Sequence, residues 1–194
     1  LMKFDFKYLD LKFVESAAEY KQCLVHKLTE IAFVGASNAG KSSAINAISN
    51  QKKLAKISKT PGKTKLFNFF KLSDGYIVDF PGYGYSKVSK SQKKEWSTEL
   101  PNYFDKRECL VGVVLFTDIR NPMRELDVSM YEMLYNKNIP VLIVLTKSDK
   151  VSEAAMLETK SKLSDTYGYC QTFSVKNNKS IGELIVAISE LLAN

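Results

Sequence analysis

Residues 35–42 carry glycine, lysine and serine at the spacing of a phosphate-binding loop. The loop consists of Gly35, Ala36, Ser37, Asn38, Ala39, Gly40, Lys41 and Ser42. Its glycines allow the backbone to curl so that successive N–H groups point at an anion, beside the positive end of the helix that follows. In such a loop the lysine reaches the β- and γ-phosphates, and the serine hydroxyl ligates Mg²⁺. We therefore predict a nucleoside triphosphate site; the alternative is a glycine-rich turn that binds nothing.

A second motif, Asp79, Phe80, Pro81 and Gly82, follows an apolar run later in the chain. Its carboxylate can hold Mg²⁺ through water, and the N–H of Gly82 can contact a γ-phosphate. Aspartates that end strands before turns are common, so this motif alone is a weak signal. Its position after the phosphate-binding loop strengthens the prediction.

A third motif, Thr146, Lys147, Ser148 and Asp149, has the pattern of guanine recognition. The Asp149 carboxylate would accept hydrogen bonds from the guanine N1–H and 2-amino group, whereas adenine would leave it unpaired, so GTP is favoured over ATP. Lys147 would lay its apolar stem against the base. A backbone N–H in Phe173, Ser174 and Val175 could meet guanine O6. The alternative for residues 146–149 is a solvent-facing turn of mixed charge.

Apolar runs alternate with amphipathic segments around these motifs, which indicates an α/β domain. We predict strands at 31–34, 66–72, 76–80, 110–116, 141–145 and 171–175, and helices at 41–49, 89–106, 123–136, 153–163 and 181–192. The runs at 66–72 and 76–80 should form an antiparallel hairpin, and residues 50–65 a long loop. The other strands should form a parallel sheet with helices on both faces, and such sheets bind ligands at the carboxyl ends of their strands.

Length and composition favour a single domain over residues 1–194, with residues 1–29 as an irregular or partly paired lead-in. The three cysteines are widely spaced and match neither a disulfide framework nor a zinc pattern. His26, the only histidine, has no Cys or carboxylate cluster beside it in sequence and is expected at the surface or in packing. No apolar run is long enough for a transmembrane helix, and we expect a cytoplasmic protein without a membrane partner.

The net charge of +7 is concentrated in two groups of lysines. No acid interrupts residues 51–73, which contain Lys52, Lys53, Lys56, Lys59, Lys63, Lys65 and Lys71. The second group contains Lys87, Lys90, Lys93 and Lys94. These groups form either a solvated lysine face or a surface for a polyanion.

Together the motifs resemble the EngB (YsxC, YihA) family of bacterial ribosome-biogenesis GTP-binding proteins, within the TrmE-Era-EngA-YihA-Septin-like P-loop GTPases. The resemblance is carried by residues 35–43, 59–64, 79–85, 118–120 and 146–149. It implies a Ras-like fold with a mostly parallel central sheet, one antiparallel strand and helices on both faces. Three residues depart from the family pattern: Ala36 replaces a usual Arg, Phe80 a usual Val, and Val175 a usual Ser.

The resemblance also implies site residues that the spacing alone does not select. Thr64 would be the second Mg²⁺ ligand, beside Ser42 and with Asp79 acting through water. The GTP-binding set would include Gly62, Lys63, Thr64, Lys65 and Leu66, and the catalytic set would be Lys41, Thr64 and Gly82. The protein would be a monomeric GTP/GDP switch in assembly of the large ribosomal subunit, needed for normal cell division through ribosome supply.

Two positions bear on the rate of hydrolysis. Tyr83 stands where Ras-like enzymes place a water-orienting Gln, so hydrolysis without an activator should be slow. Asn38 matches a position that helps to seat K⁺ in cation-dependent relatives; alternatively, it only tolerates an unusual backbone conformation.

Other functions remain open from the sequence. The protein could be a GTPase switch for transfer RNA modification or for a membrane protein, or a nucleotide-dependent binding module without turnover. An ATP-dependent phosphotransferase is disfavoured by Asp149 and by the lack of an obvious base to activate an acceptor.

Overall fold

The computed structural model of the chain describes residues 6–55, 67–84 and 99–193. Within these ranges seven strands form one sheet in the order β1-β3-β4-β2-β5-β6-β7. The strands are β1 (Lys12–Ala17), β2 (Thr29–Gly35), β3 (Phe67–Lys71), β4 (Gly75–Asp79), β5 (Leu110–Asp118), β6 (Val141–Thr146) and β7 (Cys170–Thr172). Of the seven described strands, only β3 runs against its neighbours, since it pairs antiparallel with both β1 and β4 while the other described pairings are parallel. The predicted Ras-like architecture with one antiparallel strand is confirmed.

Helices cover both faces of this sheet. They are α1 (Lys41–Ile48), α2 (described over 99–106), α3 (Glu125–Asn136), α4 (Glu153–Tyr167) and α5 (Asn178–Leu192). On β2, Phe33 packs with α1 and α5, whereas the next residue, Val34, packs with α2 and α3 on the other face. This alternation follows from the two-residue period of a strand. No helix in the described ranges is long and apolar enough to cross a membrane.

Several element boundaries differ from the prediction for identifiable reasons. The predicted helix at 123–136 begins at Glu125 because Met123 has a positive φ of 49°. The sequence predicts a strand at 171–175, but the observed strand β7 begins at Cys170 and ends at Thr172. Beyond it the N–H of Ser174 donates to Ser180 Oγ at the start of α5, not to a neighbouring strand. For the helix predicted at 89–106, the structure describes only residues 99–106.

The N-terminal lead-in is partly paired, which is one of the two predicted alternatives. Residues 12–17 form β1, the edge strand that pairs with β3. Before it, the N–H of Leu9 donates to the carbonyl of Ile48, and the Gln51 side chain donates to the carbonyl of Leu11. The Leu11 side chain is buried, so apolar packing as well as these hydrogen bonds attaches the segment before β1 to the rest of the domain.

A buried ion pair joins the start of β2 to the end of α2. Glu30 is fully buried and accepts hydrogen bonds from Arg107 Nη2 (2.8 Å) and from the Tyr103 hydroxyl. His26 lies 3.0 Å from the same carboxylate and stacks on Tyr76, in agreement with its predicted packing role. Burial alone would raise the pKa of Glu30, but the hydrogen bonds from His26 and Arg107 hold it below its usual value.

This cluster also brings His26, Glu30 and Cys109 close enough for three ligand atoms to share a metal ion. The Arg107 guanidinium, however, already supplies a positive charge to Glu30, and its Nη2 lies 3.2 Å from His26 Nε2. The cluster is therefore best described as a structural ion pair.

Candidate nucleotide-binding site

The phosphate-binding loop connects β2 to α1, as its sequence predicts. Its backbone turns through left-handed conformations at Asn38 (φ 67°) and Gly40 (φ 100°) before α1 begins at Lys41. A Cβ atom at Gly35 would lie 2.4 Å from the carbonyl oxygen of Phe116, so no larger residue fits there without movement of β5. The N-terminus of a helix that follows such a turn is a site where anions bind in other proteins.

Two buried charged side chains, those of Lys41 and Asp79, lie at this loop and interact electrostatically. The Lys41 ammonium is buried and donates to the carbonyl of Gly35 at 3.2 Å. Burial lowers the pKa of Lys41, and the negative charges of Asp79 and Asp127 partly oppose this effect. Burial raises the pKa of Asp79 to about 6, although the charge of Lys41 lowers it, and Asp79 Oδ1 has no hydrogen-bond partner among the described residues. A bound polyphosphate with a metal ion would supply partners to both groups.

The loop after β4 contacts the phosphate-binding loop directly. The N–H of Ser37 donates to the carbonyl of Tyr83 at 2.8 Å, and Ser37 Oγ donates to the carbonyl of Gly82 at 3.1 Å. A Cβ atom at Gly82 would lie 2.7 Å from Ser37 Oγ, which explains the need for glycine. Phe80 packs its side chain against Phe67 in the core, so only its backbone is left for a ligand.

The guanine-recognition motif is fastened to the same loop by hydrogen bonds. Thr146 Oγ1 donates to the carbonyl of Ala39 at 2.6 Å, and Lys147 Nζ donates to the carbonyl of Asn38 at 2.9 Å. Lys147 also forms an ion pair with Asp118 at 2.8 Å. The carboxyl end of β6 is therefore hydrogen-bonded directly to the phosphate-binding loop.

Asp149 is held in position by residues near the start of α5. Its carboxylate accepts a hydrogen bond from Ser174 Oγ at 2.8 Å and forms an ion pair with Lys176 at 3.2 Å. The Ser174 hydrogen bond, followed by that of Lys176, lowers the pKa of Asp149, so this side chain is ionised at neutral pH. Phe173 is buried and Val175 is half exposed beside it.

Sequence reasoning assigned no role to two residues of this site. Asp118 pairs with Lys147 and Arg120, and hydrogen bonds from Arg120 and then Lys147 hold its pKa well below the usual range. Lys176 pairs with Asp149. Asp118 lies in residues 118–120, which carry the family resemblance without an assigned role, and Lys176 directly follows residues 173–175.

Part of the predicted site lies outside the described residues. This part comprises Gly62, Lys63, Thr64, Lys65 and Leu66, together with the lysines at 56, 59, 87, 90, 93 and 94. The site described here is therefore built from the loops at 35–42, 79–84, 146–149 and 173–176.

The fold and this site define a Ras-like P-loop GTPase, an enzyme that hydrolyses GTP. The sequence model of the family described as "50S ribosome-binding GTPase" matches residues 30–147. A "Probable GTP-binding protein EngB" of Mannheimia succiniciproducens is 47% identical over 156 residues, which cover 80% of this chain and 76% of that protein. The protein of the same name from Coxiella burnetii is 42% identical over 190 residues, or 94% of this chain and 93% of that one. The chain belongs to the EngB family of GTP-binding proteins.

A solved structure agrees with this assignment at the level of the fold. The crystal structure of a "probable GTP-binding protein engB" superimposes with a TM-score of 0.70 at 23% identity, covering 85% of this chain and 99% of the other.

Proposed function

We propose that this protein is a GTP/GDP switch that assists assembly of the large ribosomal subunit. The observation that carries the nucleotide part is the contact of Lys147 and Thr146 with the phosphate-binding loop, which joins a guanine-specific motif to an anion site. The ribosomal part is supported by the description of the matching family. We propose further that it acts in the cytoplasm as a monomer without a membrane partner, and that its loss slows cell division through a shortage of ribosomes.

In this proposal each loop holds one part of GTP. The backbone N–H groups of residues 35–42 and the Lys41 ammonium bind the phosphates. The Asp149 carboxylate accepts from guanine N1–H and the 2-amino group, and a backbone N–H in residues 173–175 meets O6. Lys147 lies against the base while its ammonium stays bonded to Asn38 and Asp118.

The residues present fit a magnesium ion. Asp79 Oδ1 is buried without a partner in the described part of the chain, which is unfavourable unless a ligand completes its hydrogen bonding. Ser42 and Thr64 would hold the ion directly, and Asp79 through water. When bound, Mg²⁺ supplies positive charge that stabilises the phosphate oxygens as the bond to the γ-phosphate breaks. Thr64 enters this set through the family resemblance.

Hydrolysis in this site should be slow without an activator. The Tyr83 hydroxyl donates to Asp127 on α3 at 2.7 Å, so it is already engaged in a contact and does not replace a water-orienting Gln. Among the described residues, the Lys41 ammonium and the N–H of Gly82 would stabilise the transferring phosphoryl group, together with Mg²⁺ and with the Thr64 that the family resemblance implies.

We propose secondly that a K⁺ ion beside Asn38 supplies positive charge to the transferring phosphoryl group. Asn38 is exposed, and its positive φ is equally explained by the turn of the loop. Turnover measured in K⁺ and in Na⁺ separates the two explanations: a higher rate in K⁺ that the Asn38→Ala variant loses supports the ion, and equal rates in both salts assign Asn38 to the turn.

Co-sedimentation with large-subunit particles tests the proposed switch. The protein is loaded with a non-hydrolysable GTP analogue, with GDP or with neither, and we expect the GTP form to bind most tightly. Lys52 and Lys53 are exposed at the start of the acid-free lysine segment. Their replacement by Glu should weaken binding and reduce its salt dependence, because fewer phosphate counterions are released.

A matched control reverses two exposed lysines elsewhere, Lys106→Glu with Lys162→Glu, which changes the net charge equally. This control should bind particles like the parent protein. Particle binding that is the same in all three nucleotide states would contradict the switch. Equal losses in both charge-reversed variants would show that net charge, and not this lysine segment, determines binding.

A further inference from the structure

Asp127 is a buried carboxylate that none of the nucleotide motifs includes. It is 1% exposed and lies in the first turn of α3. One oxygen accepts from the Tyr83 hydroxyl at 2.7 Å, and the other accepts from Thr117 Oγ1 on β5 at 2.8 Å. Thr117 Oγ1 in turn accepts from the N–H of Met123, just before α3. The carboxylate is thus fixed to both the sheet and the helix.

Tyr83 connects this fixed carboxylate to the phosphate-binding loop. Its phenol is bonded to Asp127, while its carbonyl accepts from the N–H of Ser37 and the preceding residue, Gly82, contacts Ser37 Oγ. Burial, followed by the charge of Asp127, raises the pKa of the Tyr83 phenol well above its usual value, so it remains a hydrogen-bond donor at any physiological pH. One residue therefore ties the loop after β4 at both its backbone and its side chain.

We propose that Asp127 is a positioning residue for GTP hydrolysis, which acts through Tyr83 to hold Gly82 against the phosphate-binding loop. The proposal rests on the placement of the γ-phosphate beside Gly82 in the proposed function. A loop without this bond samples more conformations, and less of the population has the Gly82 N–H directed at the phosphate.

The difference between GTP and GDP provides a specific readout. GDP has no γ-phosphate, so its affinity does not depend on Gly82. Loss of the Tyr83 to Asp127 bond should therefore lower kcat and the affinity for a GTP analogue while leaving the affinity for GDP unchanged. A purely structural contact would lower thermal stability without changing the ratio of the two affinities.

The test uses Tyr83→Phe, Asp127→Asn and the double variant of the full chain. Single-turnover GTP hydrolysis, the Kd values for GDP and a non-hydrolysable GTP analogue, and thermal unfolding are measured for each. We expect Tyr83→Phe to lower kcat and the analogue-to-GDP affinity ratio about tenfold, from the size of a hydrogen bond to a charged group. The double variant should be little worse than Tyr83→Phe alone, because Tyr83→Phe already removes the donor of this bond and Asp127→Asn only weakens its acceptor.

Tyr131→Phe is the matched control, since Tyr131 also lies on α3 and donates its hydroxyl to the carbonyl of Tyr167 away from the site. It should leave kcat and both affinities unchanged. Unchanged kcat and affinity ratio in Tyr83→Phe and Asp127→Asn would overturn the proposal, whatever their melting temperatures. Failure of the parent protein to prefer guanine nucleotides would instead contradict the proposed function.

Discussion

Replacement of Asp149 by Asn should reverse the base preference of the site. The carboxylate is partly buried, with a side-chain exposure of 23%, and Ser174 and Lys176 hold its two oxygens at 2.8 and 3.2 Å. Asn at this position can still accept from Ser174, but its amide would face the guanine donors with a donor of its own. Because hydrogen bonds to a charged group contribute about 1.5–3 kcal/mol each, losing two should cost at least about 3 kcal/mol, or roughly a hundredfold or more in GTP affinity.

The assay for this prediction is competition against a fluorescent guanine nucleotide. Xanthosine triphosphate should bind Asp149→Asn more tightly than it binds the parent, since xanthine presents an acceptor where guanine has the 2-amino group. Asp165→Asn, which changes an exposed carboxylate of α4, is the control for the loss of one charge and should bind GTP like the parent. The reasoning is refuted if the parent binds ATP and GTP equally, or if Asp149→Asn keeps its GTP affinity.

Three further substitutions test other parts of the structure. Gly82→Ala should lower GTP hydrolysis at least about a hundredfold while GDP still binds, because the new Cβ would lie 2.7 Å from Ser37 Oγ and displace a backbone donor to the transferring phosphoryl group. Gln171→Leu should raise the free energy of unfolding by about 1–2 kcal/mol, because both amide atoms of Gln171 are buried without partners among the described residues. Glu30→Gln should destabilise the protein by about 3 kcal/mol at pH 7, since it leaves Arg107 buried without its counter-charge.

Glu30 also predicts a pH dependence. Its pKa is lowered in the folded protein from an ordinary value of 4.5. The ionised carboxylate therefore contributes stability above pH 4.5, and that contribution is lost as the pH falls through the lower pKa of the folded state. Denaturant titrations should show that Glu30→Gln loses less stability on acidification than the parent does.

Each of these predictions has an outcome that would contradict it. Gly112→Ala, a change in β5 where the nearest atom to a new Cβ belongs to the Leu191 side chain, should leave hydrolysis intact. Equal rates for Gly82→Ala and Gly112→Ala would remove Gly82 from the catalytic set. If Gln171→Leu is less stable than the parent, the result would indicate that ordered water completes the hydrogen bonding of the Gln171 amide. If the free energy of unfolding of Glu30→Gln falls as steeply below pH 4.5 as that of the parent, Glu30 does not contribute to acid unfolding.

The sequence predicts where these loops lie in the fold, because the residues that identify each loop are close together in the chain. Glycines, Lys41 and Ser42 act within eight consecutive residues, and the flanking apolar runs identify β2 and α1. Lys147 and Asp149 are likewise recognised from four consecutive residues. The carboxyl ends of parallel strands then bring these loops together, so the general arrangement of the site follows from the α/β pattern.

Contacts between distant residues could not be predicted in the same way. Tyr83 and Asp127 are 44 positions apart, and only the packing of α3 on the sheet brings them together. The late start of α3 depends on the positive φ of Met123, for which an unbranched apolar residue provides no sequence signal. Burial of Gln171 similarly depends on the placement of β7 and not on any local pattern.

Release of the protein from the ribosomal particle tests the central claim most directly. A complex of the GTP-bound protein with fluorescently labelled large-subunit precursors is formed, and hydrolysis and dissociation are then followed in the same sample. The switch predicts that dissociation follows conversion of GTP to GDP and is blocked by a non-hydrolysable analogue. A complex that remains assembled after all of its GTP has become GDP, or that dissociates equally fast with the analogue, would contradict the account.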